Sequence, residues 1–338
     1  MNLNKISIAT FNLLNLNLPD KPLYGKDGWT QQQYKAKIAW SASEIKRLAP
    51  DVVGFQELWH KQCLADVLAA DGLGADYDVL APEAADGTGI VCAALVRKDL
   101  LEGEPDWIAH FPDNFVLEGK GGDPQTPAIK VGIDGFSRPI LYFTIKPRTD
   151  EQAIHFYVCH FKSKAATAIK EEPWYVANQH SKHQKNLGSA LSTIRRTAEA
   201  AALRFMLTER LKGNETPVVV LGDVNDGVHS NTHNILTEQP QYLSGGTLGG
   251  GDVALYAAQT LQEFRDTRDV YYTYVHQGMR ESLDHILVSE QFYDHSARRR
   301  WLFDGMIVNN DHLNFSQHKT TGTNDHGIVR AEFKYKPV

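Results

Sequence analysis

The stretch PVVVLGDVND, residues 217–226, decides the fold class of this 338-residue chain. Its first half is a run of apolar, mostly β-branched residues, which is typical of a central β-strand. Its second half places the polar residues Asp223 and Asn225 where that strand ends. The stretch therefore predicts a strand inside a sheet, with side chains at its carboxyl end that can bind a metal or move a proton.

Apolar runs of strand length occur on both sides of this stretch and outnumber the helical patterns. The further strand candidates are residues 5–11, 51–56, 90–96, 140–145, 153–160, 282–289 and 327–333, and the helix candidates are residues 31–49, 60–70 and 187–211. Strands and helices do not alternate strictly, which argues against a Rossmann fold or a barrel. We predict an α/β fold, a four-layer α/β/β/α sandwich of two packed mixed β-sheets flanked by helices. A single domain over residues 1–338 is expected, with the glycine-rich residues 245–251 as a flexible loop.

The composition is that of a folded globular protein, with 42% hydrophobic and 22% charged residues. The formal net charge of -6 provides no global basic field, which weakens a nucleic-acid function without excluding it. The three cysteines lie far apart inside apolar stretches and predict buried free thiols. The N-terminus has no export-signal pattern and no apolar run reaches membrane length. We expect a cytoplasmic protein without a membrane span, and secretion stays open.

Polar residues that can bind a metal or transfer a proton stand at the ends of several apolar runs. They are Asn12, Glu57, His160, Asp223, Asn225, Asp284, Asp325 and His326. Each has an ordinary explanation when taken alone, such as a turn for Asn12, a helix cap for Glu57 or a structural hydrogen bond for His160. Strand ends that converge on one edge of packed sheets would bring them together, so their joint occurrence predicts a common cleft.

The sequences of the segments around these residues resemble those of the endonuclease/exonuclease/phosphatase superfamily over nearly the whole chain. The segments that carry the resemblance are TFNLLN, FQEL, CHFKSK, LGDVND, LDHILVS and NDHGIV, and the last three are the most specific. The segments CHFKSK and RRTAEAAALRF most resemble the sequences of the bacterial extracellular nucleases of this superfamily. The resemblance implies a metal-dependent hydrolase of phosphoesters.

The resemblance also implies a divalent-ion site. Asn12, Glu57 and Asp325 match the positions that hold the ion, and such an oxygen-only set suits Mg²⁺ or Mn²⁺. Many relatives carry an acidic residue two positions after the first Asn, where this sequence has Leu14. A single-ion mechanism is therefore favoured over two ions.

The remaining matched positions imply a catalytic set. Asp223 and Asn225 would orient and activate the attacking water, and we expect both to face the same side of an extended segment. His326 with Asp284 resembles a carboxylate–imidazole dyad. His160 matches a second histidine that contacts a phosphate oxygen or protonates the leaving group. Which group is the base and which is the acid stays open.

Two local ambiguities accompany this assignment. Asp311 and His312 form another DH pair, but the strand-like sequence after His326 favours Asp325 and His326 as the terminal motif. Lys162 is a candidate phosphate contact, although a lysine on a loop is more often only solvated charge.

Three functions remain. The first is a nuclease acting on DNA or RNA, for which Arg195, Arg196 and residues 298–300 are candidates for a basic stripe leading to the cleft. The second is a phosphatase or phosphodiesterase for a small or lipid phosphoester, which fits the acidic charge and the aromatic segment 172–176. The third is an inactive interaction module on the same fold, which is disfavoured because every position needed for chemistry holds a competent side chain.

Overall fold

The computed structural model describes residues 2–122, 125–242, 250–267 and 271–338. Its strands are β1 (Lys5–Leu16), β2 (Val52–His60), β3 (Tyr77–Leu80), β4 (Asp86–Arg97), β5 (Leu101–His110), β6 (Glu118–Gly119), β7 (Ile129–Lys130), β8 (Gly135–Ile145), β9 (Ile154–His160), β10 (Val218–Asp223), β11 (Tyr256–Ala257), β12 (Tyr274–His276), β13 (Met279–Glu281), β14 (Asp284–Val288), β15 (Trp301–Asn309) and β16 (Ile328–Tyr335). Its α-helices are α1 (Gln31–Leu48), α2 (Gln62–Ala70), α3 (Ala177–His180), α4 (Gln184–Leu211), α5 (Asn231–Thr237), α6 (Ala258–Glu263) and α7 (His318–Thr321).

The strands form two six-stranded sheets with related topology. The first has the order β15-β16-β1-β2-β4-β3, and the second has the order β11-β14-β10-β9-β8-β5. At the centre of each sheet two strands run parallel, β1 with β2 and β10 with β9, and the flanking pairs are antiparallel. The carboxyl ends of the parallel strands carry the predicted site residues to one edge of each sheet.

The apolar core divides into three layers, which is the arrangement expected of a four-layer sandwich. Ile8 on β1 and Val219 on β10 belong to the cluster between the two sheets. Phe55 on β2 packs with α1 and α2 on the outer face of the first sheet. Leu203 on α4 packs on the outer face of the second sheet. The predicted α/β/β/α sandwich is confirmed.

Two glycines mark places where the backbone leaves no space for a side chain. A Cβ on Gly54 would lie 2.2 Å from Cδ1 of Leu221 in the facing sheet. Gly222 has a φ of +137°, and a Cβ there would lie 2.0 Å from the carbonyl oxygen of Cys159. Because Gly222 precedes Asp223, this close approach of β10 to β9 fixes the position of Asp223.

Several boundaries differ from those predicted. The strand predicted over residues 5–11 continues to Leu16, because β1 resumes pairing with β2 at Leu58 after a register shift, so Asn12 lies within a strand rather than at the start of a loop. Strands β5 and β15 and the hairpin β12–β13 were not predicted, because their sequences mix charged and apolar residues. Residues 245–249 of the predicted glycine-rich loop lie outside the described residues.

Two compositional predictions can be compared with the structure. Cys63, Cys92 and Cys159 are all buried and free, as expected. Among the helices of the described ranges, none combines the length and apolar character needed to cross a membrane.

Candidate active site

A cleft of about 440 Å³ opens at the edge where the central strands of both sheets end. The sequence-predicted residues that line it are Glu57, His160, Asp223, Asn225, Asp325 and His326. Asn12 and Asp284 lie directly behind this lining, and each is hydrogen-bonded to a lining residue. The structure therefore brings together residues that are more than 300 positions apart in the sequence.

Glu57 and Asp325 form the acidic end of the cleft. Glu57 sits at an irregularity of β2, with a φ of +61°, and its Oε2 accepts the N–H of Asn15 at 2.8 Å. Burial and the nearby Asp325 carboxylate both raise the pKa of Glu57. Oδ1 of Asp325 is buried and has no hydrogen-bond partner within the described part of the chain. Two close carboxylates with an unpaired buried oxygen are a suitable setting for a cation.

Asn12 joins this acidic end to the rest of the site. Its Nδ2 donates to Oδ2 of Asp223 at 3.2 Å, and its Oδ1 accepts the N–H of Leu14 at 3.0 Å. Its backbone carbonyl accepts a hydrogen bond from Nδ2 of Asn324, the neighbour of Asp325. Asn12 is fully buried, so its orientation is set by these three bonds.

Lys37 lies fully buried behind the acidic end, and the sequence analysis did not identify it. Its Nζ donates to Oδ1 of Asn324 and, at 3.3 Å, to the carbonyl of Thr323. The ring of Trp40 lies 5.1 Å from the ammonium. Burial lowers the pKa of Lys37 to about 7, against the opposing effect of Asp325 and Glu57. The only sequence signal is a lysine on the apolar face of α1.

Asp223 occupies the centre of the cleft. Its Oδ1 accepts the N–H of Asn225 at 2.8 Å, and its Oδ2 lies 3.6 Å from Nε2 of His160. Burial raises the pKa of Asp223 to about 7, although the nearby His326 lowers it. The expected extended segment is wrong: Asn225 has a φ of +57°, so the chain turns after Asp223. This turn, closed by the Asp223 carboxylate, still leaves both side chains in the cleft.

His326 and Asp284 are in direct contact. Nδ1 of His326 lies 2.8 Å from Oδ2 of Asp284, and Asp284 is only 3% exposed. Thr273 holds the backbone here, because its Oγ1 accepts the N–H groups of Leu283 and Asp284. Burial acts to lower the pKa of His326, but the carboxylates of Asp284, Asp223 and Asp325 together raise it well above its usual value. The imidazolium form is thus favoured.

The pKa of His160, the second histidine, is shifted in the opposite direction. Burial, with the positive charges of Arg138 and His326, lowers its pKa well below the usual value, so the neutral ring is favoured. Its Nδ1 is buried without a partner among the residues that the structure describes. The cleft therefore contains one histidine that favours its charged form and one that favours its neutral form.

Comparison with known proteins shows the family of this chain. The sequence matches the model of the Endonuclease/Exonuclease/phosphatase family over residues 9–318. The chain belongs to the endonuclease/exonuclease/phosphatase family. A search of curated protein sequences finds no significant match.

Several solved structures have the same family fold. Truncated TDP2 from Caenorhabditis elegans is 14% identical, with a TM-score of 0.53 and coverage of 98% of this chain and 97% of that chain. The endonuclease/exonuclease/phosphatase from Bacteroides vulgatus is 15% identical, with a TM-score of 0.54 and coverage of 98% and 99%. The human Nocturnin catalytic domain, solved with bound sulfate, is 14% identical, with a TM-score of 0.53 and coverage of 99% and 97%. At these identities the similarity shows the shared fold alone.

The family match ends before Asp325, so the choice between the two DH pairs depends on the structure. His326 lines the cleft, whereas His312 packs edge-on to Trp40 and its Nε2 contacts the backbone carbonyl of His326 at 2.8 Å. Asp311 is exposed at the surface. The structure thus places Asp325 and His326 in the site, with His312 as a support behind them.

Arg138, at the start of β8, lines the cleft and was missed from the sequence. Its Nη1 is buried without a hydrogen-bond partner in the described ranges. Its charge contributes to the low pKa values of His160 and Lys162. The sequence around Arg138 did not indicate a site residue, because only the pairing of β8 with β9 brings Arg138 beside His160.

The other basic residues are placed less favourably for a substrate. Lys162 is half-buried and does not line the cleft, whereas Lys164 does, paired with Glu281 at 2.9 Å. Arg196 is buried. Arg298 pairs with Asp252 and Glu290, and Arg300 pairs with Glu215 and Glu151. Arg196, Arg298 and Arg300 do not line the cleft in the described structure, and each of the three pairs with a nearby carboxylate.

One cluster of side chains at the cleft has the spacing of metal ligands. One potential ligand atom from each of Asp223, Asp284 and His326 lies within 4.8 Å of the others. However, Nδ1 of His326 is already bonded to Asp284. At the acidic end, Oδ1 of Asp325 has no such partner among the described residues, and oxygen ligands suit a hard cation such as Mg²⁺ better.

Proposed function

We propose that this family member is a divalent-metal-dependent phosphodiesterase that cleaves DNA or RNA by in-line attack of an activated water. One observation carries the proposal: Glu57, Asp223, Asp325 and His326 line one cleft, and Asp284 contacts His326 from behind it. Hydrolysis of a phosphodiester needs a base for the water and positive charge near the phosphate oxygens. This cleft provides candidates for both.

Asn12, Glu57 and Asp325 are the residues that we propose hold the ion. The unpaired Oδ1 of Asp325 and the acidic neighbour Glu57 fit a cation there. When bound, Mg²⁺ or Mn²⁺ offsets the charge that develops on the phosphate.

The protein's own groups take complementary roles in the proposed reaction. Asp223 accepts the proton of the attacking water, because a carboxyl pKa of about 7 is close to neutral pH. Asn225 orients this water. His326, kept cationic by Asp284, offsets charge on the phosphate and gives a proton to the leaving oxygen as the bond between that oxygen and phosphorus breaks. Neutral His160 donates a hydrogen bond to the substrate, with Arg138 as a further phosphate ligand.

A second candidate is a phosphodiesterase or phosphatase for a small or lipid phosphoester. It is favoured by the pairing of three arginines of the predicted basic stripe, since Arg196, Arg298 and Arg300 each form an ion pair with a carboxylate. Nucleic-acid binders neutralise several phosphates with Lys and Arg. The two candidates share the same chemistry and differ in the substrate.

A substrate panel tests the proposal. Wild type, His326→Ala and the matched surface variant His295→Ala are assayed with Mg²⁺ or Mn²⁺ on plasmid DNA, single-stranded DNA, RNA, bis-p-nitrophenyl phosphate and sphingomyelin. We expect nucleic acid to be cleaved by wild type and His295→Ala but not by His326→Ala. Cleavage of only the small or lipid esters would support the second candidate. Absence of hydrolysis on every diester would refute the phosphodiesterase.

A further inference from the structure

One turn of α4 carries two buried charged side chains that do not line the cleft in the described structure. Glu199 is fully buried and Arg196 is 4% exposed, and both lie on the face of α4 that packs on the second sheet. The same helix buries the apolar Ala198, Ala202 and Leu203 in the core, and it also buries Ser192 and Arg204. Burying charge costs free energy unless each charged atom is hydrogen-bonded, so the partners of this pair show its role.

Glu199 connects two segments of backbone that belong to the phosphate side of the cleft. Its Oε1 accepts the N–H of Ser137 at 2.8 Å, and its Oε2 accepts the N–H of Lys162 at 2.7 Å. Ser137 immediately precedes Arg138, and Lys162 lies two residues after His160. One carboxylate therefore fixes the spacing between the segments that carry Arg138 and His160.

Arg196 adds a third segment. Its Nη1 donates to the carbonyl of Lys162 at 3.1 Å, and its Nε donates to Oδ2 of Asp226 at 3.3 Å. Lys162 is thus held through both its N–H and its carbonyl by a single helical turn. Asp226 follows Asn225, so the same turn also anchors the segment that carries Asn225.

We propose that the Arg196–Glu199 turn positions one wall of the cleft, in which Arg138 and His160 face the phosphate and Asn225 faces the attacking water. The inference rests on the proposed function, since it assigns this wall to a phosphate. Both residues act through others and touch no reacting atom. A shift of about 1 Å at such a wall can reduce activity on the order of 100-fold, so a rigid backbone clamp has a direct functional use.

Glu199→Gln is the test variant, because it keeps the shape but replaces one acceptor oxygen with a donor that faces a backbone N–H. Glu209→Gln is the matched control, an exposed glutamate on the same helix. Calorimetry with inorganic phosphate in the presence of Mn²⁺, titration with Mn²⁺ alone and thermal melts are measured for each. Kinetics on bis-p-nitrophenyl phosphate accompany them.

We expect Glu199→Gln to weaken phosphate binding and to lower kcat/KM by about tenfold or more, while Mn²⁺ affinity stays within about twofold of the control. Phosphate affinity equal to that of Glu209→Gln, even with a lower Tm, would overturn the inference and leave a purely structural role. Arg196→Lys is the alternative test variant if Glu199→Gln does not fold. It keeps the positive charge but loses the planar guanidinium that bonds two partners at once. Failure of both variants to fold would likewise contradict the inference. If wild type neither binds phosphate nor cleaves the diester, the proposed function fails instead.

Discussion

The contact between Asp284 and His326 gives a sharp prediction about catalysis. Asp284→Asn keeps the size of the side chain but removes the charge that faces Nδ1 of His326 at 2.8 Å. Both groups are buried, so water cannot replace the lost partner. The imidazolium form of His326 should then lose most of its support, because Asp284 contributes both charge and a hydrogen bond to the raised pKa of His326.

The size of the effect follows from the loss of positive charge opposite the phosphate. Removing one preorganised group that stabilises developing charge costs about 2.7–4 kcal/mol of activation free energy. At about 1.36 kcal/mol per factor of ten, this corresponds to a loss in kcat/KM on the order of 10²- to 10³-fold. If the two side chains act as a unit, His326→Ala and the double variant should lose about as much as Asp284→Asn alone.

The assay is kcat/KM on one diester for the two single variants and the double variant, with thermal melts of each. Thr273→Ala is the control, because it removes the acceptor of the Leu283 and Asp284 N–H groups without touching the carboxylate. Additive losses in activation free energy would refute the dyad. A rate loss that Thr273→Ala reproduces, or that unfolding explains, would assign Asp284 to stability instead.

Three further outcomes are expected. At a Mn²⁺ concentration 100 times the wild-type Kd, Mn²⁺ should raise the free energy of unfolding of wild type by about 2.7 kcal/mol. At the same concentration it should stabilise Glu57→Gln by clearly less, and equal stabilisation of the two proteins would remove Glu57 from the ion site. Arg138→Ala should lower kcat/KM by about 10- to 100-fold, since hydrogen bonds to charged groups contribute about 1.5–3 kcal/mol, and an unchanged value would exclude a phosphate contact. Because the pKa of Asp223 is raised to about 7, its carboxyl is protonated below that pH and kcat/KM should fall as the pH drops through 7; a rate profile flat from pH 5 to 9 would contradict Asp223 as the base.

The architecture could be predicted because the strand patterns and the polar residues at the strand ends can both be recognised within short stretches of sequence. The apolar run before Asp223 and the periodicity of α4 needed no tertiary information. Backbone details at the same positions were not predictable. Glu57 and Asn225 both adopt a positive φ, which their sequence neighbourhoods do not indicate. Such conformations persist where surrounding contacts determine them, and functional sites are a common place for them.

The supporting residues escaped prediction for a different reason. Lys37 and Glu199 lie on amphipathic helices, where a charged residue is ordinarily assigned to the exposed face. Their partners, Asn324 and the backbone of Ser137 and Lys162, are distant in sequence. A pattern within one helix contains no information about such contacts, so only the packed structure reveals them.

The most direct test of the account is the rate of diester cleavage across a Mg²⁺ titration for wild type and Asp325→Asn. We predict no cleavage by wild type in EDTA, a saturable rise with Mg²⁺, and a curve for Asp325→Asn that is displaced to higher Mg²⁺ with a lower plateau, because a charged oxygen ligand is lost. Cleavage that persists in EDTA, or superimposable curves for the two proteins, would contradict a metal-dependent phosphodiesterase centred on this cleft.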